Sequence, residues 1–126
     1  MNMVKLLVIG FGGFLGTILR YMIGKAIDAK WSTTFPWGTF TINVVGSFII
    51  GFVYMLAMRK IGINENWRLF LGAGFCGGFT TFSAFAWENV NLLDQKLIGT
   101  SLVYISASII ISLMAVVAGG WVSRFL

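Results

Sequence analysis

Histidine is absent from the chain, cysteine and proline occur once each, and there are only four acidic residues. Each scarcity removes a chemistry. Without histidine there is no Ser-His-Asp or Cys-His nucleophile, no imidazole proton shuttle and no histidine metal site. A single cysteine, Cys76, closes no internal disulfide and no thiolate cluster. Asp28, Glu65, Glu88 and Asp94 are spread widely along the sequence, which argues against a paired-carboxylate site. The chain is therefore read as something other than an enzyme. Charge of either sign is also scarce, at 10% of residues, against 58% hydrophobic residues and a mean hydropathy of +0.90. Counting the glycines as well, the apolar share is about 71%, where soluble domains have about 45–50%. An ordinary water-soluble domain is excluded, and the expectation is an integral membrane protein.

What is present is four long apolar blocks. They run over about residues 3–27, 35–58, 67–93 and 97–122, each long enough for a span of about 20 residues. The connections are short, so sequential spans are antiparallel and residues 1–126 form one all-α four-helix transmembrane domain. Lys5 before an apolar run imitates a signal peptide, but no A-x-A cleavage pattern follows, and the segment is read as a first helix. The net charge of +5 is not read as a nucleic-acid signal, because the basic residues lie at span ends, where lipid headgroups and topology account for them. Lys5, Arg59, Lys60, Arg68 and Arg124 fall on one side, and Lys25, Lys30 and Lys96 on the other. So weak a bias is compatible with insertion in both orientations and with a single ordinary topology. Trp31, Trp37, Trp67, Trp87 and Trp121 lie near span ends, as an interfacial aromatic belt would.

Glycine punctuates the spans. Gly12 with Gly16, Ser47 with Gly51, and the pair Gly119 and Gly120 predict close helix packing. The run from Gly10 to Gly16 is not a dinucleotide fingerprint, since Leu15 stands where that pattern needs glycine and no strand precedes it. In the third span, Gly77 and Gly78 are followed by Phe79, Thr80 and Thr81. These weak helix formers at mid-span predict a broken helix whose ends offer N–H or C=O groups to an ion. A kinked helix whose threonines bond to their own backbone is the alternative.

Polar residues recur on two other spans. Thr39, Asn43 and Ser47 share one face of the second, and Tyr104, Ser108 and Ser112 one face of the fourth. Such groups either glue helices together or line a polar pathway. Asn43 favours a pathway, because its amide has two donors and two lone pairs to satisfy at depth. No carboxylate or lysine lies near the middle of a span, although proton- and cation-coupled carriers usually keep one there. A lining of amide, hydroxyl and phenol donors suits a small dehydrated anion. The electropositive ring edges of Phe82 and Phe85 would add to it, although phenylalanines at this spacing also serve as core packing.

The stretch Gly77-Gly78-Phe79-Thr80-Thr81-Phe82-Ser83-Ala84-Phe85, with Gly38-Thr39-Phe40-Thr41-Ile42-Asn43 and Gly16-Thr17-Ile18-Leu19-Arg20 before it, resembles the Fluc (CrcB) fluoride channels over the entire chain. The resemblance implies an antiparallel, dual-topology homodimer in the bacterial inner membrane, with two fluoride pores lined by both subunits. It assigns Phe82, Phe85, Asn43, Tyr104, Ser108 and Ser112 to the pore, with Thr39 and Ser83 as extra donors and Arg20 at the vestibule. It also implies a structural sodium ion at the dimer centre, held by the backbone carbonyls of Gly77 and Thr80. Glu88 matches an acidic position to which no role is assigned. Conduction would be passive and electrogenic. The alternative is a small four-helix multidrug exporter, a family that relies on an acidic residue in its first span, where this chain has none.

Overall fold

The computed structural model describes residues 2–59 and 62–126, and among them all regular structure is helical. Helix α1, Met3–Lys30, starts where the Asn2 side chain accepts the Lys5 N–H at 2.9 Å, satisfying one orphan donor of the first turn. Helix α2, Trp37–Ala57, follows Pro36, whose missing N–H costs nothing at a helix start. The third apolar element, Glu65–Asp94, is composite. It begins as α3, Glu65–Arg68, capped by Asn64, continues as a π-helical segment, Leu69–Cys76, and resumes as α4, Gly77–Phe79. Thr80 and Thr81 are extended, with ψ of 157° and 122°, and α5, Phe82–Asp94, follows them. A short turn with Lys96 at φ 65° leads into α6, Ile98–Val122, which ends in a 3-10 turn, Ser123–Phe125. Among the described residues, four helices are thus long and apolar enough to cross a membrane.

Polar contacts at the helix ends fix an up-down-up-down order. Lys5 Nζ meets Glu65 Oε1 at 3.0 Å, and Arg59 donates to the Ser123 carbonyl at 2.6 Å, both at the end that carries the C-terminus. At the opposite end the Gly38 N–H donates to Asp28 Oδ1 at 3.0 Å. Arg68 and Arg124 belong to the first end, and Lys25, Lys30 and Lys96 to the second; Lys60, counted with the first end, lies outside the described residues.

Close backbone approach holds the helices together. A side chain at Gly16 would meet the carbonyl of Phe75, and one at Gly119 the carbonyl of Phe48, so α1 packs on the third element and α2 on α6 through bare backbone. The buried apolar set is small, with Ile42, Val53, Phe79, Leu92 and Tyr104 its main members. Phe11, Phe14, Leu102 and Ile110 project outward, as side chains solvated by lipid do.

Candidate functional site

The interruption at Thr80 and Thr81 frees backbone groups, and neighbouring side chains take several of them. The Thr81 N–H, which a continuous helix would give to the Gly77 carbonyl, donates instead to Asn43 Oδ1 at 2.9 Å. Asn43 Nδ2 in turn donates to the Thr81 carbonyl at 3.0 Å, so one amide on α2 satisfies both polar groups of an extended residue. Thr81 Oγ1 accepts the Ala84 N–H at 3.2 Å and caps α5. Thr80 Oγ1 donates to the Cys76 carbonyl at 2.8 Å, and Arg20 Nε donates to the Gly78 carbonyl at 3.0 Å. Arg20 thereby sets a positive charge against the carbonyl end of α4, where the partial charge of a helix is negative. Its Nε therefore bonds to backbone within the bundle.

Beside the interruption lies a groove of about 340 Å³, between α2, α5 and α6. Its lining includes Asn43, Ser47, Phe82, Phe85, Ser108 and Ser112. The two phenyl rings have centroids 5.7 Å apart and planes tilted by 45°. Phe85 is half-buried, whereas Phe82 is 79% exposed. Ser108 Oγ is buried and has no hydrogen-bond partner among the described residues. A buried hydroxyl costs free energy unless something accepts its proton, so this atom is a donor in want of an acceptor. Among the described residues, no charged side chain lines this groove.

Thr39 and Tyr104 lie elsewhere. Tyr104 is fully buried and donates its phenol to Glu88 Oε1 at 2.7 Å, while Thr39 Oγ1 donates to Glu88 Oε2 at 2.7 Å. The carboxylate thus receives one hydroxyl from α2 and one from α6. The cluster meets the groove's lining through the Tyr104 ring, whose centroid is 5.0 Å from that of Phe85. Ser83 is exposed, with its hydroxyl 3.4 Å from that of Thr81. Gly77 is exposed, and a side chain there would meet nothing within 4 Å.

Six of the residues singled out from sequence therefore converge on the interruption and its groove: Asn43, Thr80, Phe82, Phe85, Ser108 and Ser112. Ser47 joins the lining, as its four-residue step from Asn43 on α2 had allowed. Glu88 as the acceptor for Thr39 and Tyr104 was missed. The signal available was a carboxylate three residues beyond Phe85, on the turn that follows it.

Residues 7–120 match the family described as CrcB-like protein, Camphor Resistance (CrcB). A protein of Phocaeicola vulgatus named fluoride-specific ion channel FluC is 43% identical over 122 residues, covering 97% of this chain and all of that protein. A protein of the same name from Rhizobium meliloti is 44% identical over 117 residues, covering 93% of this chain and 94% of its own. In Clostridium acetobutylicum, fluoride-specific ion channel FluC 2 is 40% identical over 117 residues, with 93% and 96% covered. With nearly the whole length matched, the chain belongs to the CrcB family.

Proposed function

We propose that this protein is a fluoride-selective channel of the bacterial inner membrane, a multi-pass protein that lets fluoride leave the cell passively and so confers fluoride resistance. The unpartnered Ser108 hydroxyl, buried in a groove edged by Phe82 and Phe85, carries this reading. A neutral lining of hydroxyl, amide and ring-edge donors replaces the water shell of a small anion and holds no fixed charge to trap it. Asn43 keeps one Nδ2 hydrogen beyond the one given to Thr81, and Ser112 continues the hydroxyl row along α6. Ser83 adds a further hydroxyl next to Phe82, and Thr39 and Tyr104, whose hydroxyls hold Glu88, border the path through the Tyr104–Phe85 ring contact.

The working unit is a dual-topology homodimer with two pores, each subunit a single four-helix domain with its third helix broken at mid-membrane. Support comes from the groove, which one chain leaves open, from the exposure of Phe82 at its edge, and from the exposure of Gly77 just before the interruption. An antiparallel copy would supply the missing wall. Arg20 sits at the vestibule, its charge drawing anions toward the interruption. The donor set also suits a structural sodium ion between the subunits. Thr81 withholds its N–H from the Gly77 carbonyl, and Arg20 occupies Gly78, which leaves the oxygens of Gly77 and Thr80 for a hard cation. Bound there, sodium would neutralise facing carbonyl dipoles.

A negative cell interior drives an anion outward by about 2.3 kcal/mol per charge per 100 mV, so an open path suffices and no nucleotide is consumed. An exporter of organic cations is disfavoured, since α1 holds no carboxylate before Asp28 at its far end. Purified protein in fluoride-loaded liposomes tests the reading. With potassium shunted by valinomycin, fluoride efflux is expected and chloride efflux is not; liposomes that keep their fluoride would refute it.

A further inference from the structure

Helix α5, which carries Phe82 and Phe85, has a weak apolar anchorage. Only Asn89 and Leu92 are buried along it, while Trp87, Val90 and Leu93 are exposed. Its rotation must then be fixed by polar contacts, and one of these has no part in the pathway described above. Asn89, 7% exposed, donates Nδ2 to the carbonyl of Phe85 at 2.9 Å and accepts the hydroxyl of Ser101 at Oδ1, also at 2.9 Å. Ser101, on the first turn of α6, is 1% exposed. A leucine at position 89 would fill the same space without a polar group to satisfy. The amide instead links the α6 hydroxyl, through one side chain, to the peptide of the ring that edges the groove.

We propose that Asn89 and Ser101 form a latch that sets the rotation of α5 on α6 and thereby holds Phe85 in place, making both of them positioning residues for the anion path. The inference rests on the reading of Phe82 and Phe85 as pathway residues. The latch lies about one helical turn from the Phe85–Tyr104 ring contact, so a small rotation of α5 about its axis moves the ring edge and leaves the short α5–α6 turn intact. Asn89 also orients its own donor. With Nδ2 committed to the residue four positions earlier, Oδ1 has a single direction in which to find a proton, and Ser101 stands in it.

The test uses dimers reconstituted in liposomes, with 4-fluorophenylalanine at position 85 as a 19F NMR reporter. Ser101→Ala leaves Asn89 Oδ1 without a donor, and it is expected to shift the resonance and to lower fluoride flux per folded protein by about tenfold, the scale of one buried hydrogen bond in a barrier. Ser101→Thr keeps the hydroxyl and is expected to restore both. Asn89→Ala gives a smaller loss, because the freed Ser101 hydroxyl can turn to its own helix. It reports on the same two quantities should Ser101→Ala fail to fold. Resonance and flux unchanged in the folded alanine variants would overturn the latch. A shifted resonance with unchanged flux would leave the latch standing and remove Phe85 from the path.

Discussion

Asn43→Asp tests the proposed path with a change of one heavy atom. The side chain keeps its shape, and the Thr81 N–H keeps an acceptor at the 2.9 Å now spanned to Oδ1. The second bond fails, because an ionised carboxylate has no proton for the Thr81 carbonyl that Nδ2 reaches at 3.0 Å. Leaving that carbonyl unpaired costs about 1–3 kcal/mol of stability. The new charge acts on permeation separately. An anion passing about 5 Å from the carboxylate, at an effective dielectric constant of about 20, is repelled by about 3 kcal/mol. That barrier corresponds to a flux lowered about a hundredfold. Asn43→Ala is the control, since it removes both bonds to Thr81 and adds no charge; it is expected to destabilise the fold more than the aspartate does and to block less completely. Efflux from fluoride-loaded liposomes, normalised to protein that elutes as a single species, reads the permeation term, and thermal unfolding in detergent reads the stability term. Wild-type flux through well-folded Asn43→Asp would refute the placement of this residue beside the anion.

Three further outcomes follow from the same geometry. Phe82→Ile or Phe85→Ile retains bulk and loses the ring edge, so fluoride efflux should fall sharply with the fold intact; unchanged efflux would make the rings mere packing. Ser108→Ala removes a buried hydroxyl that makes no hydrogen bond, so the unfolding midpoint should hold or rise while flux drops, and Ser108→Thr should retain flux. Gly119→Ala drives a methyl group into the Phe48 carbonyl and should destabilise the helix pair by about 1–3 kcal/mol, measured as a lower unfolding midpoint; a neutral outcome would contradict the close α2–α6 approach.

Much of the architecture was legible because lipid imposes simple rules. Long apolar runs marked the four helices to within a few residues, although α1 extends to Lys30 and α2 begins at Trp37, after the proline. Glycines at Gly16, Gly51 and Gly119 marked contacts where backbone meets backbone. The four-residue steps of Asn43 and Ser47, and of Ser108 and Ser112, put those pairs on one groove. The same period assigned faces to Tyr104 and Thr39 but cannot say which acceptor a hydroxyl finds there; Glu88, one helix away, takes both. The π-helical segment Leu69–Cys76 left no trace in residue pattern, because its geometry comes from packing on α1 and not from local preference. Nor does spacing announce that Asn43 bonds the two polar groups of Thr81, a match made only once α2 and the interruption lie side by side.

Reversal potential in a planar bilayer tests the central claim most directly. With opposed fluoride and chloride gradients across the membrane, current through the purified protein should reverse at the fluoride equilibrium potential and ignore the chloride gradient. Reversal that tracks chloride, or a flux that stops unless a proton gradient is applied, would contradict passive passage of fluoride along the Phe82 and Phe85 groove.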